Sequence, residues 1–427
     1  MTKQLGERQL FLDIVGHVPV EILQLIVSYC SAQDVLVWRQ VCRRWRARLE
    51  SDVVCGYLLR RDFADERPSL RPQDRAVPAV EALRLCAFRD AAVRQSGRLG
   101  VRSELKEVRP TLAAYFGGHL VVAGYTLGSQ LTMTMLYELY SDRKWRLQQS
   151  RESWYELTVS EDVCAGVTSL GKCKAWTIRD PSTFQQRQLL SSNTRMLTSA
   201  GRLVGVVMAD SSLVVWDTAE DDEIETDAIT ARARATDHTI YQLSINARKG
   251  YLVVLTSQSV QGDVQSAVLV YTLDQDLVFS TPMAFFANTR LYRPIRGNSV
   301  VVTCSGIRTL TRLDLDNFRT ETFGGFLANG DSFVGVPFRN SVFMLEGSYL
   351  SRLTMASQAT GTDGAYADRD GETKWIYHSI FKSLDHSSVI YDLLGDGHYI
   401  CVRMTSGIVI LSFNLYDYEA MHNSAPV

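Results

Sequence analysis

The chain has 427 residues, too many for one ordinary hydrophobic core, which predicts two or three domains. Hydrophobic residues make up 46% of the sequence and charged residues 22%, as in folded soluble proteins. The formal net charge of -2 excludes a global field that would attract nucleic acid or an anionic membrane. The charge is uneven, since residues 1–108 carry 18 Lys and Arg against 14 Asp and Glu, and the remainder carries 27 against 33.

The N-terminal sequence lacks the long apolar stretch of a signal peptide, and no window approaches the roughly 18 apolar residues of a membrane-spanning helix. The eight cysteines form no C-x-x-C pair and match neither zinc-ligand spacing nor a disulfide framework: Cys30, Cys42, Cys55, Cys86, Cys164, Cys173, Cys304 and Cys401. We therefore expect reduced, mostly buried thiols, no metal and no other cofactor, in a protein of the cytosol or nucleus.

Three short helices are predicted after a helical or frayed lead over residues 1–17. The first begins at Pro19, because the N–H groups of the first helical turn have no intrahelical partner and a proline there removes no hydrogen bond. Its apolar stripe has helical spacing and is wider than one small core needs: Ile22, Leu23, Leu25, Ile26, Val27 and Tyr29.

The second helix is predicted to start at a capping box formed by Ser31 and Asp34, and it carries Val35, Leu36 and Trp38. The third carries Val41, Cys42, Trp45 and Leu49 inward. Its arginines, Arg43, Arg44, Arg46 and Arg48, form either a solvated face with apolar stems or a surface for an acidic partner.

These helices offer more apolar surface than they can bury among themselves, which indicates a partner. At these residues the sequence resembles an F-box: VPVEIL at 18–23, IVSYC at 26–30, DV at 34–35 and VCRRW at 41–45. The tail through Asp62 and Phe63 is also similar. Cys30 replaces a usual leucine, and Cys55-Gly56 stands where Leu-Trp is usual, which puts in doubt the contribution of the last helix to partner binding.

The resemblance implies a substrate receptor of SCF-type cullin ubiquitin ligases. The F-box would bind a Skp-type adaptor, and through it the cullin, while other subunits supply catalysis. The implied adaptor contacts are Pro19, Ile22, Leu23, Ile26, Leu36, Trp38, Val41 and Trp45.

Residues 64–108 are predicted to be a linker and a connecting helix. The first part holds three prolines among many charges, and Val80, Leu83, Leu85, Cys86, Phe88 and Val93 then predict about four helical turns ending near Gly97. We expect this helix to contact the domain that follows.

From residue 109 to 427, short Val, Leu, Ile and Tyr runs recur between Gly, Ser, Asn and Asp turns. Seven irregularly spaced hairpin copies predict a β-propeller with one four-stranded sheet per blade, about seven blades in all. The clearest copy, 201–217, ends in Trp216-Asp217 and resembles the end of a WD repeat. A pair of β-sandwiches is the alternative. The predicted fold class is therefore α + β multidomain, with the domains 1–17, 18–63, 64–108 and 109–427.

The sequence contains only weak matches to known catalytic or ligand-binding motifs. Residues 166–173 nearly match a phosphate-binding loop, but Cys173 replaces the required hydroxyl and a strand follows, so a hairpin turn is expected. The seven histidines form no metal or nucleophile motif. The acidic run 219–227 is either a solvated loop or a site for a basic segment, and 356–373 is expected to be a mobile insertion.

The sequence is compatible with three functions. The first is the ligase receptor, with an unidentified protein target on the propeller and no nucleic acid or membrane span. The second is an adaptor-bound F-box scaffold without ligase activity. The third is a propeller enzyme, for which the sequence offers no catalytic residues.

Overall fold

The computed structural model describes residues 14–63, 78–94, 100–105, 108–126, 131–141, 143–189, 194–260, 263–283, 289–292, 299–304, 309–323, 334–338, 341–346, 349–355, 375–381, 390–395 and 399–413. Those between 14 and 94 belong to one compact unit, and those between 100 and 412 belong to another. The lead before residue 14, the proline-rich stretch 64–77 and the insertion predicted at 356–373 lie outside the described residues.

Six helices precede the first strand in the described part of the chain. They are α1 (Ile14–His17), α2 (Val20–Ser28), α3 (Ala32–Trp38), α4 (Arg43–Leu49), α5 (Asp52–Asp62) and α6 (Ala79–Arg94). The predicted capping box is present at the start of α3, where the Ser31 hydroxyl accepts the Asp34 N–H at 3.1 Å and the Asp34 carboxylate accepts the Ser31 N–H at 3.0 Å. This pairing satisfies two backbone donors that the first helical turn leaves without partners.

One hydrophobic core holds these helices together, and α6 is part of it. The fully buried members include Leu23, Val27, Leu58 and Leu59, and Leu83 of α6 lies among them. Helix α6 contacts α5 and α3. The predicted connecting helix is therefore an integral element of the helical unit, because its apolar residues complete a core that α2 to α5 alone leave open.

The second unit consists of seven four-stranded antiparallel sheets among the described residues. In chain order the first four hold β2 (Val108–Phe116), β3 (His119–Thr126), β4 (Thr132–Glu138), β5 (Arg143–Ser150); β6 (Trp154–Val159), β7 (Val163–Thr168), β8 (Lys172–Thr177), β9 (Phe184–Gln188); β10 (Thr194–Ala200), β11 (Leu203–Met208), β12 (Leu213–Asp217), β13 (Asp222–Ile224); and β14 (His238–Asn246), β15 (Tyr251–Val260), β16 (Asp263–Thr272), β17 (Leu277–Met283).

The remaining three sheets hold β18 (Thr289–Tyr292), β19 (Ser299–Cys304), β20 (Thr309–Asp314), β21 (Arg319–Phe323); β22 (Val334–Phe338), β23 (Ser341–Glu346), β24 (Tyr349–Met355), β25 (Trp375–Phe381); and β26 (Ile390–Gly395), β27 (Tyr399–Met404), β28 (Gly407–Ser412) with β1 (Gly100–Leu105) as the fourth strand. The described residues thus contain as many sheets as the sequence contains hairpin copies.

The last sheet joins the two ends of the β region. Strand β1 pairs with β28, so a strand from the beginning completes a sheet made by the end. This pairing closes the β region, because its first and last strands belong to the same sheet. Strand β1 lies inside the 64–108 stretch predicted as linker and helix, so sheet structure begins before residue 109.

The sheets pack face to face in chain order. Buried side chains cluster between successive sheets, with Trp154 and Trp176 contacting residues of the first sheet, and Trp216 contacting residues of the second. The first strands of the first five sheets contact one another in chain order, β22 contacts β26, and β26 contacts β2. Such a closed series of four-stranded sheets is a β-propeller, as predicted. Strands β7, β11 and β28 are buried along their whole length. They are central strands of their sheets, and neighbouring sheets cover both of their faces.

The two chemical motifs considered from sequence are structural elements. The phosphate-loop-like segment is the β7–β8 hairpin turn, in which Gly171 has a φ of 72° and a strand follows. The acidic run forms the β12–β13 turn, strand β13 and the start of α7 (Asp227–Ala235). Two carboxylates of the run have arginine partners: Glu220 pairs with Arg202 at 2.9 Å and Glu223 pairs with Arg187 at 3.3 Å. These pairs lie within the propeller, which favours a structural role for this part of the run.

Helix α7 was not predicted. Its Ile229 and Ala233 are 1% and 4% exposed and pack with residues of the third and fourth sheets. Only two of its nine residues are apolar and buried. The helical spacing of apolar residues is therefore too weak here to predict a helix from the sequence.

Candidate partner-binding site

Helix α2 has a buried face and an exposed apolar face. Leu23 and Val27 are 1% and 0% exposed and belong to the core of the helical unit. Ile22, Leu25 and Tyr29 are 45%, 55% and 85% exposed. These three residues follow i, i+3, i+7 spacing and therefore share one side of the helix. The wide apolar stripe predicted from sequence thus splits into a core half and a surface half.

The helical unit exposes further large apolar side chains beyond α2. We call the full group the exposed apolar set; it comprises Val20, Ile22, Leu25, Tyr29, Val37, Val41 and Val53. Single exposed apolar residues are ordinary, but seven within 34 residues of one small unit are characteristic of an interaction surface.

The residues implied as adaptor contacts fall into three classes. Pro19, Ile22 and Val41 are exposed, and Ile26, Leu36, Trp38 and Trp45 are half-buried. Leu23 is a core residue with 1% exposure, so it stabilises the helices and presents no surface to a partner. Leu25, Tyr29, Val20, Val37 and Val53 were absent from the implied set although they are exposed.

Trp38 and Trp45 lie together and link α3 to α4. Their ring centroids are 6.5 Å apart with an edge-to-face angle of 67°. Both pack against the core while remaining partly accessible. The Trp45 indole Nε1–H is buried without a hydrogen-bond partner. The two rings therefore contribute both to the core of the helical unit and to its exposed surface. Truncating either ring would change the core packing and the surface.

The Cys55-Gly56 departure from the F-box pattern lies inside the protein. Both residues are buried in α5, and the Cys55 thiol donates to the Leu49 carbonyl at 3.2 Å. Burial raises the pKa of this thiol to about 12. A missing aromatic side chain here consequently changes core packing and removes nothing from the surface of the last helix, whose exposed apolar residue is Val53.

Arg61 fixes the end of α2 relative to α5. Its guanidinium donates to the carbonyl oxygens of Val27, Ser28 and Cys30 at 3.0, 2.8 and 2.7 Å. The last carbonyls of a helix have no intrahelical partner, and a cation is favoured at that end. Arg61 therefore holds the exposed face of α2 in a defined orientation.

The basic face of α4 is mostly solvated. Arg43, Arg44 and Arg46 are exposed, whereas Arg48 is half-buried and donates to the Val18 carbonyl. Arg39 forms an ion pair with Glu50 at 3.0 Å. One arginine of the predicted solvated run thus has a structural role, because it joins α4 to the segment that precedes α2.

Other kinds of site find little support in the described residues. No three of their His, Cys, Asp and Glu side chains are grouped so that they could hold a metal ion. Five of the seven cysteines with described surroundings are buried and all seven are free thiols. None of the described helices is both long enough and apolar enough to cross a membrane.

Comparisons with known proteins address each unit separately. The solved structures that resemble the fold include the following two. One is a chain in the crystal structure of the mitotic checkpoint complex, with 8% identity, a TM-score of 0.48 and coverage of 74% of this chain and 91% of that one. The other is the WD40 domain of coronin from Toxoplasma gondii, with 10% identity, a TM-score of 0.47 and coverage of 74% and 87%.

No curated protein sequence matches the chain. Residues 15–54 match the protein-family model described as F-box-like. The matched segment runs from α1 into the first turn of α5 and contains every residue of the exposed apolar set. The resemblance inferred from the motifs at 18–63 is thereby confirmed.

Proposed function

We propose that this protein is the substrate-recognition subunit of an SCF-type cullin ubiquitin ligase. The observation that carries the proposal is the exposure of Ile22, Leu25 and Tyr29 on one side of α2, within the segment that matches the F-box-like family. A helix side of this kind is suited to pack against an apolar groove or helix of a partner. The partner that the family implies is a Skp-type adaptor.

The adaptor surface proposed here differs from the one implied by sequence. It keeps Pro19, Ile22, Ile26, Leu36, Trp38, Val41 and Trp45, adds Leu25 and Tyr29, and omits Leu23 because Leu23 is buried. Burying an exposed large apolar side chain contributes about 1–2 kcal/mol. Several such residues, less the cost of association, are enough for a stable complex.

The β-propeller is proposed to hold the protein target, and catalysis is assigned to other subunits of the ligase. The chain contributes by raising the effective concentration of a target lysine near the conjugating enzyme. This role needs no cofactor, no nucleic acid and no catalytic residue in the chain itself, and it places the protein in the cytoplasm or nucleus.

The test is co-purification of the full chain with a purified Skp-type adaptor. A double substitution, Ile22→Ser with Leu25→Ser, is expected to weaken binding at least 30-fold, since two apolar contacts at about 1–2 kcal/mol each are lost. Both side chains are exposed, so folding is retained. Leu277→Ser with Val278→Ser is the matched control, because these residues are 39% and 41% exposed on a strand of the propeller.

Failure of the wild-type chain to bind the adaptor, or equal binding by the Ile22/Leu25 variant, refutes the proposal. A second step adds the cullin to the adaptor complex. A ligase receptor carries the cullin with it, whereas an adaptor-bound scaffold without ligase activity does not.

A further inference from the structure

A repeated irregularity marks the first strands of the propeller sheets. Strands β2, β6, β10, β14 and β26 each skip one residue in their pairing with the next strand, near the beginning of the strand. The skipped residues are Thr111, Tyr155, Arg195, Tyr241 and Tyr391. A β-bulge leaves its extra residue out of the ladder and redirects its side chain. Three of these five positions hold tyrosine.

These bulges lie side by side at one level of the propeller. The side chain that follows a bulge accepts a backbone N–H from the next sheet: Glu156 from Leu197, Met196 from Leu243 at 3.4 Å, and Gln242 from Leu291. Since Leu197 and Leu243 come directly after Met196 and Gln242, the neighbouring first strands run in the same direction with their bulges aligned. The bulged side chains therefore emerge at the same end of the sheets.

The tyrosines at this end are accessible. Tyr155 and Tyr391 are 56% and 49% exposed, and Tyr241 is half-buried. Leu170 and Tyr125 are exposed nearby, because the β7–β8 turn and the end of β3 pair with the beginnings of β6 and β2. Five of the eight exposed large apolar residues in the described part of the propeller lie at this end.

Arginines are fixed between the tyrosines. The Arg195 guanidinium lies 4.9 Å from the centroid of the Tyr241 ring, and Arg403 lies 5.2 Å from that of Tyr391. Arg195 donates to the Ile240 carbonyl at 2.8 Å and the Ala209 carbonyl at 3.3 Å, and Arg403 donates to the Thr111 carbonyl. Within the described residues, Arg195 takes part in no ion pair. Arg109 is exposed two residues before the bulge of β2. We call Arg109, Tyr155, Arg195, Tyr241, Tyr391 and Arg403 the tyrosine–arginine rim.

Three acidic groups near the rim are uncharged or already paired. Burial raises the pKa of Glu156 to about 8, so this carboxyl is uncharged at neutral pH. Asp210 pairs with Arg234 at 3.2 Å, and Glu152 pairs with Lys172 and Lys174. Asp392 pairs in register with Arg403 on the neighbouring strand. The rim thus presents aromatic rings beside guanidinium groups. Among these groups, the positive charge of Arg195 is not balanced by a carboxylate.

We propose that the tyrosine–arginine rim binds an acidic, unphosphorylated segment of a protein partner. This inference rests on the proposed function and names the class of target segment that the propeller recognises. Exposed tyrosine rings supply apolar contact at low conformational cost, and their hydroxyl groups donate to carboxylates. Two of the five N–H groups of Arg195 already donate to backbone carbonyls, which holds its guanidinium in place and leaves fewer donors for the bidentate grip that favours phosphate. It supplies a fixed positive charge, which suits Asp and Glu side chains.

The experiment is selection of a random 12-residue peptide library, displayed on phage, against the full chain without an adaptor. Selected peptides are expected to be enriched in Asp and Glu and to include apolar residues. A synthetic selected peptide is expected to lose at least 10-fold in affinity to the Tyr155→Ala, Tyr391→Ala double variant and to Arg109→Gln. These substitutions change exposed side chains, so folding is retained.

Matched controls come from the opposite end of the sheets. Phe184→Ala changes an aromatic residue with 58% exposure, and Arg248→Gln changes an exposed arginine in the β14–β15 turn; both are expected to bind the peptide as the wild type does. Raising NaCl from about 50 to 300 mM is expected to weaken binding several-fold through screening.

The proposal is overturned if no peptide is enriched, if enriched peptides are neutral or basic, if a phosphoserine version binds more than 10-fold tighter than the glutamate version, or if the rim variants bind normally. The Ile22/Leu25 variant separates this inference from the proposed function. It is expected to keep peptide binding while losing the adaptor, and the rim variants are expected to show the reverse.

Discussion

Replacing Glu156 with glutamine should stabilise the propeller, and the gain should grow with pH. The Glu156 side chain occupies the position that Met196 and Gln242 occupy in the next two sheets, where each accepts an N–H from the following strand. Gln242 shows that an amide fits this position. One Glu156 oxygen, Oε2, is buried without a hydrogen-bond partner, so a charge there is unfavourable.

The direction follows from the pKa. Burial raises the pKa of Glu156 from 4.5 to about 8, against a smaller opposite effect of the Leu197 N–H. Below pH 4.5 both folded and unfolded chains hold the proton, and the wild type is not penalised. As pH rises from 4.5 to 8, only the unfolded chain releases the proton, and stability falls by up to about 1.4 kcal/mol per pH unit. At pH 7 the loss is about 2–3 kcal/mol after allowance for partial solvent access.

Glutamine has no ionisable proton, so the Glu156→Gln variant does not lose this unfolding free energy as the pH rises. For a unit of about 300 residues, 2–3 kcal/mol corresponds to a rise of about 3–5 °C in Tm. Scanning calorimetry of both proteins should therefore show a higher Tm for Glu156→Gln at pH 7 to 8 and nearly equal values at pH 4.5. Glu152→Gln is the opposite control. Hydrogen bonding to Lys174 lowers the pKa of Glu152, so its carboxylate stabilises the fold above its ordinary pKa, and its replacement should lower Tm at pH 7. A Glu156→Gln difference that is the same at both pH values would refute the reasoning.

Three further substitutions test the framework of the two units. Ser31→Ala removes the capping box of α3 and is expected to cost about 1 kcal/mol of unfolding free energy, measured by urea denaturation, with the exposed Gln33→Ala as a near-neutral control. Arg61→Met deprives three carbonyls of their donor and is expected to cost about 2–3 kcal/mol and to speed amide exchange in α2; unchanged exchange would show that Arg61 does not orient that helix. Gly124→Ala would place its Cβ 1.9 Å from the Arg109 carbonyl oxygen, so we expect Tm to fall by several degrees, in contrast to Gly117→Ala, whose Cβ meets no atom within 4 Å and whose cost is limited to its positive φ.

Local signals in the sequence were sufficient for much of the fold. Ser31 and Asp34 predicted the start of α3 because a capping box involves only neighbouring residues. Repeated apolar runs with turn residues predicted four-stranded sheets, and Leu213–Asp217 forms one of the expected strands. These features depend on the spacing of apolar residues and on the residue types in turns, and both can be read from the sequence.

Features set by tertiary packing were less accessible. The stripe on α2 contains both Leu23 and Leu25, and the packing of α2 against α5 decides that Leu23 faces the core while Leu25 faces outward. Cys55-Gly56 could be recognised as a departure from the F-box pattern, but not as a buried one. The aligned bulges at Tyr155, Tyr241 and Tyr391 depend on register between strands, for which single strands carry no signal.

The most direct test of the central claim is hydrogen-exchange mass spectrometry of the full chain with and without a Skp-type adaptor. Adaptor binding through the proposed adaptor surface predicts slower exchange in α2, α3 and the start of α4, with exchange in the propeller strands unchanged. Slower exchange in the propeller alone, or no change in α2 at adaptor concentrations well above 10 µM, would contradict the assignment of the helical unit as the adaptor-binding site.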